Sequence, residues 1–118
     1  MMISNERPII LGEKPKIAVK MARINDIYTL SSLSWRVEFC ASKGTLIMDK
    51  TEAEQVDEDT YTLRVDTVQI GTGKLTGILY PCIPDSEVEG DYYCPPVPFD
   101  TGKTIVSPYY LSDGLHSL

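Results

Sequence analysis

The sequence predicts an all-β protein: a single β-sandwich of about seven strands over residues 16–107, with a small closed barrel as the rival within the class, set between an N-terminal arm, 1–15, and a C-terminal tail, 108–118. Three observations carry that prediction. Val, Ile and Thr together number 29 against 4 Ala, an excess of side chains that are stiff at χ1, crowd a helix and pack well on a pleated surface. Apolar residues recur with a period of two in successive runs, and Gly, Pro, Asn or Asp stand at the breaks. Finally, 118 residues suffice for one hydrophobic core and are short for two.

Pro8, Gly12 and Pro15 punctuate the entry segment. Lys16 to Ala22 then alternates Ile17, Val19 and Met21 with Ala18, Lys20 and Ala22, the pattern of a half-buried strand. Asn25 to Ser34 is the one weak helical candidate, short and rich in Ser, Thr and Tyr. Trp35, Val37, Phe39 and Ala41 share one face of the next run, with Arg36, Glu38 and Cys40 on the other, so Trp35 is the expected core anchor and Cys40 faces outward. Thr45 to Lys50 follows a Ser-Lys-Gly turn. Acids crowd Glu52 to Asp59, which reads as a loop or a short edge strand. Tyr61, Leu63 and Val65 restore the alternation. Leu75 to Pro84 has no charged residue and is expected to be a central strand covered on both faces, with Gly77 marking a bulge or close approach and Pro81 placing the end near an edge. Asp85 to Asp91 reads as a polar turn. Three prolines keep Tyr92 to Phe99 extended but not central, and Asp100-Thr101-Gly102-Lys103 signals a hairpin returning through Thr104 to Ser107. Trp35, Val37, Phe39, Tyr61, Leu63, Val65, Leu75 and Leu79 are the predicted core.

Eleven basic residues against 17 acidic ones give a net charge of −6. A nucleic-acid partner calls for a basic stripe to neutralise phosphates, so none is expected. No run approaches the ~20 apolar residues that span a bilayer, and no membrane contact is expected. Glu6, Arg7 and Pro8 stand where a secretory signal would carry its apolar region. The three cysteines, Cys40, Cys82 and Cys94, are odd in number and lack a CxxC spacing, which points to reduced thiols and no structural zinc, leaving a Cys82–Cys94 pairing open.

Each motif with chemical associations has a plainer reading. Asp100-Thr101-Gly102 is the triplet of aspartic proteases, and a retroviral-type enzyme using Asp100 is an alternative to keep. Such enzymes carry the triplet in the first third of the chain, whereas here 16 residues follow it; a turn with Gly at positive φ fits better. Gly71-Thr72-Gly73-Lys74 lacks the P-loop spacing, with Val68 and Leu75 where Gly and Ser or Thr belong. The acids from Asp49 to Asp59 lack calcium-loop spacing. His116, the single histidine, stands in the tail, a poor partner for a catalytic cysteine. No catalytic, cofactor-binding or metal-ligating residue is therefore assigned, and no cofactor is expected. Apolar side chains outside any regular period remain at both ends: Ile9, Ile10 and Leu11, and Tyr109, Tyr110 and Leu111. These six are the candidate partner contacts, docking on neighbours by strand addition; the alternative is that both ends fold back over their own domain.

The succession of a Lys16-Ile17-x-Val19 strand, a Trp35-x-Val37-x-Phe39 strand, Asp59-x-Tyr61-x-Leu63-x-Val65-Asp66-Thr67, Gly71-x-Gly73-Lys74-Leu75, Ile83-Pro84-Asp85, Gly90 and Asp100-Thr101-Gly102 resembles small immunoglobulin-like domains of tailed phages and prophages. It is similar to the N-terminal sandwich of baseplate and receptor-binding appendage proteins and to virion proteins of Bacteroides phages. The resemblance covers about residues 16–107. It implies an immunoglobulin-like sandwich acting as a non-enzymatic structural or adaptor protein of the virion, in tail, baseplate or fibre. Such a protein is assembled in the host bacterial cytoplasm, and its partners are other virion proteins and further copies of itself. A surface adhesin or carbohydrate-binding module is the alternative from another class.

Overall fold

Alternating apolar side chains become strands because a pleated backbone sends successive Cβ atoms to opposite faces. The computed structural model, which describes residues 7–84 and 92–108, contains nine such strands: β1 (Ile9–Ile10), β2 (Lys16–Lys20), β3 (Ser34–Cys40), β4 (Thr45–Asp49), β5 (Glu54–Asp57), β6 (Thr60–Arg64), β7 (Gly73–Pro84), β8 (Tyr92–Tyr93) and β9 (Val97–Val106). The protein is all-β, 57% strand, with curled sheets, and among the described residues no α-helix occurs, only two 3-10 turns at Lys50–Glu52 and Thr67–Gln69. One sheet runs β1-β9-β7-β3-β4, with β8 also pairing β7; the other runs β2-β6-β5. Among the described residues only β1–β9 is parallel; the other ladders are antiparallel.

The inward faces of both sheets supply one core. Ile17 and Val19 of β2 and Tyr61 and Leu63 of β6 join Trp35, Val37 and Phe39 of β3, Leu75 and Leu79 of β7 and Ile105 of β9. Trp35 and Tyr61 meet edge to face across the sheets, ring centres 5.2 Å apart at 76°, the arrangement that ring quadrupoles favour. All eight residues expected in the core are buried, Val65 included.

Several expectations change in the structure. Asn25 to Ser34 forms no helix before Ser34 opens β3. Asn25 and Asp26 have φ of 54° and 58°, a left-handed pair that these two residue types tolerate, and Ile24 accepts from the N–H groups of Ile27 and Tyr28. The chain thus reverses in a tight turn, and Leu30 and Leu33 drop into the core. β7 is central, between β3 and β9, but its second face is half-buried rather than covered. Pro81 stands inside it, between the stretch paired with β9 and the stretch paired with β8, where a missing N–H costs the ladder least. Gly77 is a close approach: a Cβ there would overlap the Phe99 ring. Asp100 to Lys103 is no hairpin but a bulge within β9, because Lys103 opposes Leu75 and Asp100 opposes Thr76. Gly102, φ 74°, takes the turn, and pairing resumes in the same direction.

Thr67 ties the N-terminal arm to this frame. Fully buried, its hydroxyl donates to the Glu13 carbonyl at 2.8 Å and accepts from the Gly12 N–H at 2.9 Å. Thr67→Val keeps the shape, leaves the Gly12 N–H unpaired and leaves the Glu13 carbonyl with only the 3.4 Å bond from the Thr67 N–H, so the urea midpoint should fall by the equivalent of about 1–2 kcal/mol. Thr67→Ser should recover most of it; equal losses for both would show that the methyl group, not the hydroxyl, matters.

Candidate functional site

The outward face of the larger sheet brings aliphatic, aromatic and charged side chains together. Register places Ile47, Glu38, Ile78 and Pro98 in one row across β4, β3, β7 and β9, with Asp49, Arg36 and Tyr80 in the row beside it. Ile47 is 60% exposed. The Arg36 guanidinium stacks over the Tyr80 ring, 4.7 Å from its centre, a cation–π contact that stiffens a long side chain. β4 pairs only β3 among the described strands, so its outer backbone groups form a sheet edge, the kind of surface that accepts an added strand. The solvent-facing alternation that builds this face is the same period that builds the core, read at the odd-out positions.

The N-terminal arm takes its place within its own chain. Ile9 and Ile10 lie parallel to Ile105 and Val106, Leu11 N–H donates to the Val106 carbonyl at 2.8 Å, and Ile9 is buried in the core while Ile10 and Leu11 are half-buried. Strand addition is thus made in cis. Tyr109, Tyr110 and Leu111 lie outside the described residues, as do Asp85 to Asp91 and His116. A turn at Ile10 to Glu13, with Gly12 at φ 106°, closes the arm: Arg7 grips the Glu13 carboxylate with two bonds of 2.9 and 2.6 Å, and the Ile10 N–H donates to it at 2.7 Å. The Arg7 bonds first, then the Ile10 amide, hold the Glu13 pKa down at about 2. A depressed carboxylate contributes stability that is complete above its ordinary value and lost as pH falls through the folded value. The arm should therefore loosen between about pH 4.5 and 2, visible as a Glu13 carboxyl titration in NMR that moves with the Ile10 amide. A Glu13 titration near 4 would show that the clamp is absent in solution.

Beside this turn a groove of about 620 Å³ is lined by Arg7, Lys14, Lys16, Arg64 and Lys103. Its charge is largely engaged: Arg7 holds Glu13, Lys16 lies 3.4 Å from Glu54, and Arg64 donates to the Lys14 carbonyl. The acidic run is similarly dispersed, Glu52 receiving the Asp49 N–H, Glu54 facing Lys16, Asp57 receiving the Asp59 N–H and Glu58 bridging Arg23.

Asp100 is held by its neighbours. Lys74 lies 2.7 Å from one carboxylate oxygen and the Gly102 N–H donates to the other; the Lys74 bond chiefly lowers the Asp100 pKa. Thr101 hydroxyl donates to the Leu75 carbonyl, pinning the bulge. Gly71 and Gly73, φ 84° and 111°, form the turn into β7, and a Cβ on Gly71 would lie 2.5 Å from that of Lys43. Cys40 is half-buried on the outward face of β3, its thiol pushed up by burial and then by Glu38. Cys82 and Cys94 come together at the end of β7, which the spacing left open. The Arg36–Tyr80 stack was missed in the sequence because only the register of β3 on β7 opposes the two. Comparison with protein-family models, curated proteins and solved structures finds no match to this chain.

Proposed function

We propose that the protein is a non-enzymatic structural or adaptor module of a phage particle, working through protein–protein contacts, and that its domain is an immunoglobulin-like sandwich. The observation that carries the contact reading is the accessible face of the larger sheet, where Ile47, Ile78, Pro98 and the Arg36–Tyr80 stack adjoin the β4 edge. Aromatic and arginine side chains beside accessible aliphatic ones are the composition that interfaces favour. The sandwich reading is supported by strand order. β2-β6-β5 against β9-β7-β3-β4 matches B-E-D against G-F-C-C′ of variable-type immunoglobulin domains, with β1 lying parallel to the last strand. The phage setting rests on the sequence resemblance over about residues 16–107. In that setting the partners are other virion proteins and further copies of the chain, in tail, baseplate or fibre.

Purified virions should contain the protein at fixed stoichiometry by quantitative mass spectrometry. Ile47→Lys puts a charge on the face at an exposed position opposite Glu38, where unlike charges are compatible across the ladder, with little cost to folding. It should lower incorporation tenfold or more while the isolated protein keeps its urea midpoint. Virions that lack the protein would refute the phage setting; normal incorporation of Ile47→Lys would refute this face as the contact surface.

A further inference from the structure

The two cysteines that the spacing left open are brought together by the β7–β8 ladder. Ile83 opposes Tyr93 and Pro84 opposes Tyr92, so Cys82 and Cys94 are the next opposed positions in an antiparallel pair. Cross-strand neighbours have Cα atoms about 4.5–5.5 Å apart, inside the range that a disulfide requires. The side chains point at each other, the Cys94 thiol donating to Cys82 Sγ at 2.8 Å, and both are free thiols. Cys40 is remote: it lies six residues along β3 from Ser34, which faces Cys82, or about 20 Å at the rise of a strand.

We propose that Cys82 and Cys94 are a modification site, a thiol pair that converts to an intramolecular disulfide by exchange with a small disulfide such as oxidised glutathione. Cys94 is exposed and reacts first. Its thiolate attacks one sulfur of glutathione disulfide, that S–S bond breaks, and one glutathione leaves as thiolate and takes up a proton. Cys82 then gives its proton to water and attacks the Cys94 sulfur in the mixed disulfide, expelling the second glutathione. The protein loses two electrons and two protons, and one glutathione disulfide becomes two thiols. The order follows from surroundings: Cys82 is half-buried and its pKa is pushed up to about 11, by burial first and then by the bond from Cys94, so it is the poorer first nucleophile and is placed to resolve. The neighbouring Arg36 guanidinium works in the opposite direction, favouring the Cys82 thiolate once the exchange begins.

The product would clasp β8 to β7. β8 has two paired residues, and Tyr92 and Tyr93 are 56% and 52% exposed; a covalent link beside them holds two aromatic side chains at the border of the outward face. The pair borders a small hollow lined by Ser34, Trp35, Arg36, Asp49 and Tyr80, so the oxidation state is read out next to the Arg36–Tyr80 stack.

The test uses the full-length protein in mixtures of reduced and oxidised glutathione, quenched with N-ethylmaleimide and digested without reductant by a protease that cuts after Glu. Glu87 and Glu89 lie between the two cysteines, so the fragments carrying Cys82 and Cys94 stay together only through a disulfide. The expected result is that linked pair in monomeric protein, with Cys40 alkylated, and a several-fold slowing of hydrogen exchange at residues 92–94. Cys40→Ser should leave the link in place, and Cys94→Ser should abolish it. Alkylation of all three cysteines under oxidised glutathione, a persistent glutathione adduct on Cys94, or disulfide-linked dimers would each overturn the proposal.

Discussion

Trp35→Ala should cost about 3–5 kcal/mol, a large share of the 5–15 kcal/mol by which a domain of this kind is stable. Trp35 lies on β3 with 4% exposure and joins three parts of the fold. Its ring meets Tyr61 of the other sheet edge to face, its Nε1 donates to the Leu30 carbonyl at 3.2 Å, and the Tyr61 ring is approached in turn by the Lys50 ammonium, 5.8 Å from its centre. Lys50 also donates to the Ser31 and Leu33 carbonyls, so the segment before β3 is held by the same cluster. Truncation opens a cavity between the sheets, removes the ring contact and orphans a buried carbonyl. Trp35→Phe retains much of the volume and should lose about 1–2 kcal/mol, mainly the hydrogen bond and the missing ring. Urea unfolding of the two variants separates these contributions. Equal midpoints would show that the cavity is not what matters.

Gly77→Val should cost about 2–3 kcal/mol although valine is the better strand former. Gly77 opposes Phe99 in the β7–β9 ladder, and the Phe99 ring occupies the space of the absent side chain while packing edge to face on Phe39, ring centres 6.2 Å apart. A side chain at position 77 must evict that ring. In a Phe99→Ala background the eviction cost disappears and only the strand preference remains, so the same Gly77→Val change should become neutral or stabilising. Such a reversal is what a double-mutant cycle detects between residues in contact. A loss of the same size in both backgrounds would locate the cost in the backbone at Gly77 instead.

Local periodicity was sufficient for the all-β class, for the faces of β2, β3 and β6 and for the eight expected core residues, because a strand's two faces are written in consecutive residues; β7, with no charged residue to mark an outer side, read as covered on both faces, and only the structure leaves its second face half-buried. The short exposed β5 was legible only as one of two readings, a loop or an edge strand, since crowded acids suit both, and its pairing with β6 decides for the strand. Two-residue strands carry no readable period, so β1 and β8 emerged only from the pairing of Ile9 and Ile10 with β9 and of Tyr92 and Tyr93 with β7. Asp100 to Lys103 has turn chemistry in either role, and only continued pairing with β7 on both sides makes it a bulge. Leu30 and Leu33 were hidden in a segment whose Ser and Thr side chains bond locally, Thr29 with Ser31 and Ser32, in place of any regular ladder.

The candidate site divides the same way. That Arg36, Glu38 and Cys40 face outward follows from the sequence, as does the presence of three cysteines. Which residues stand beside them does not, because lateral neighbours come from register between strands distant in the chain, set by the buried faces. That register alone put Ile47 and Ile78 on either side of Glu38, stacked Arg36 on Tyr80 and brought Cys82 against Cys94.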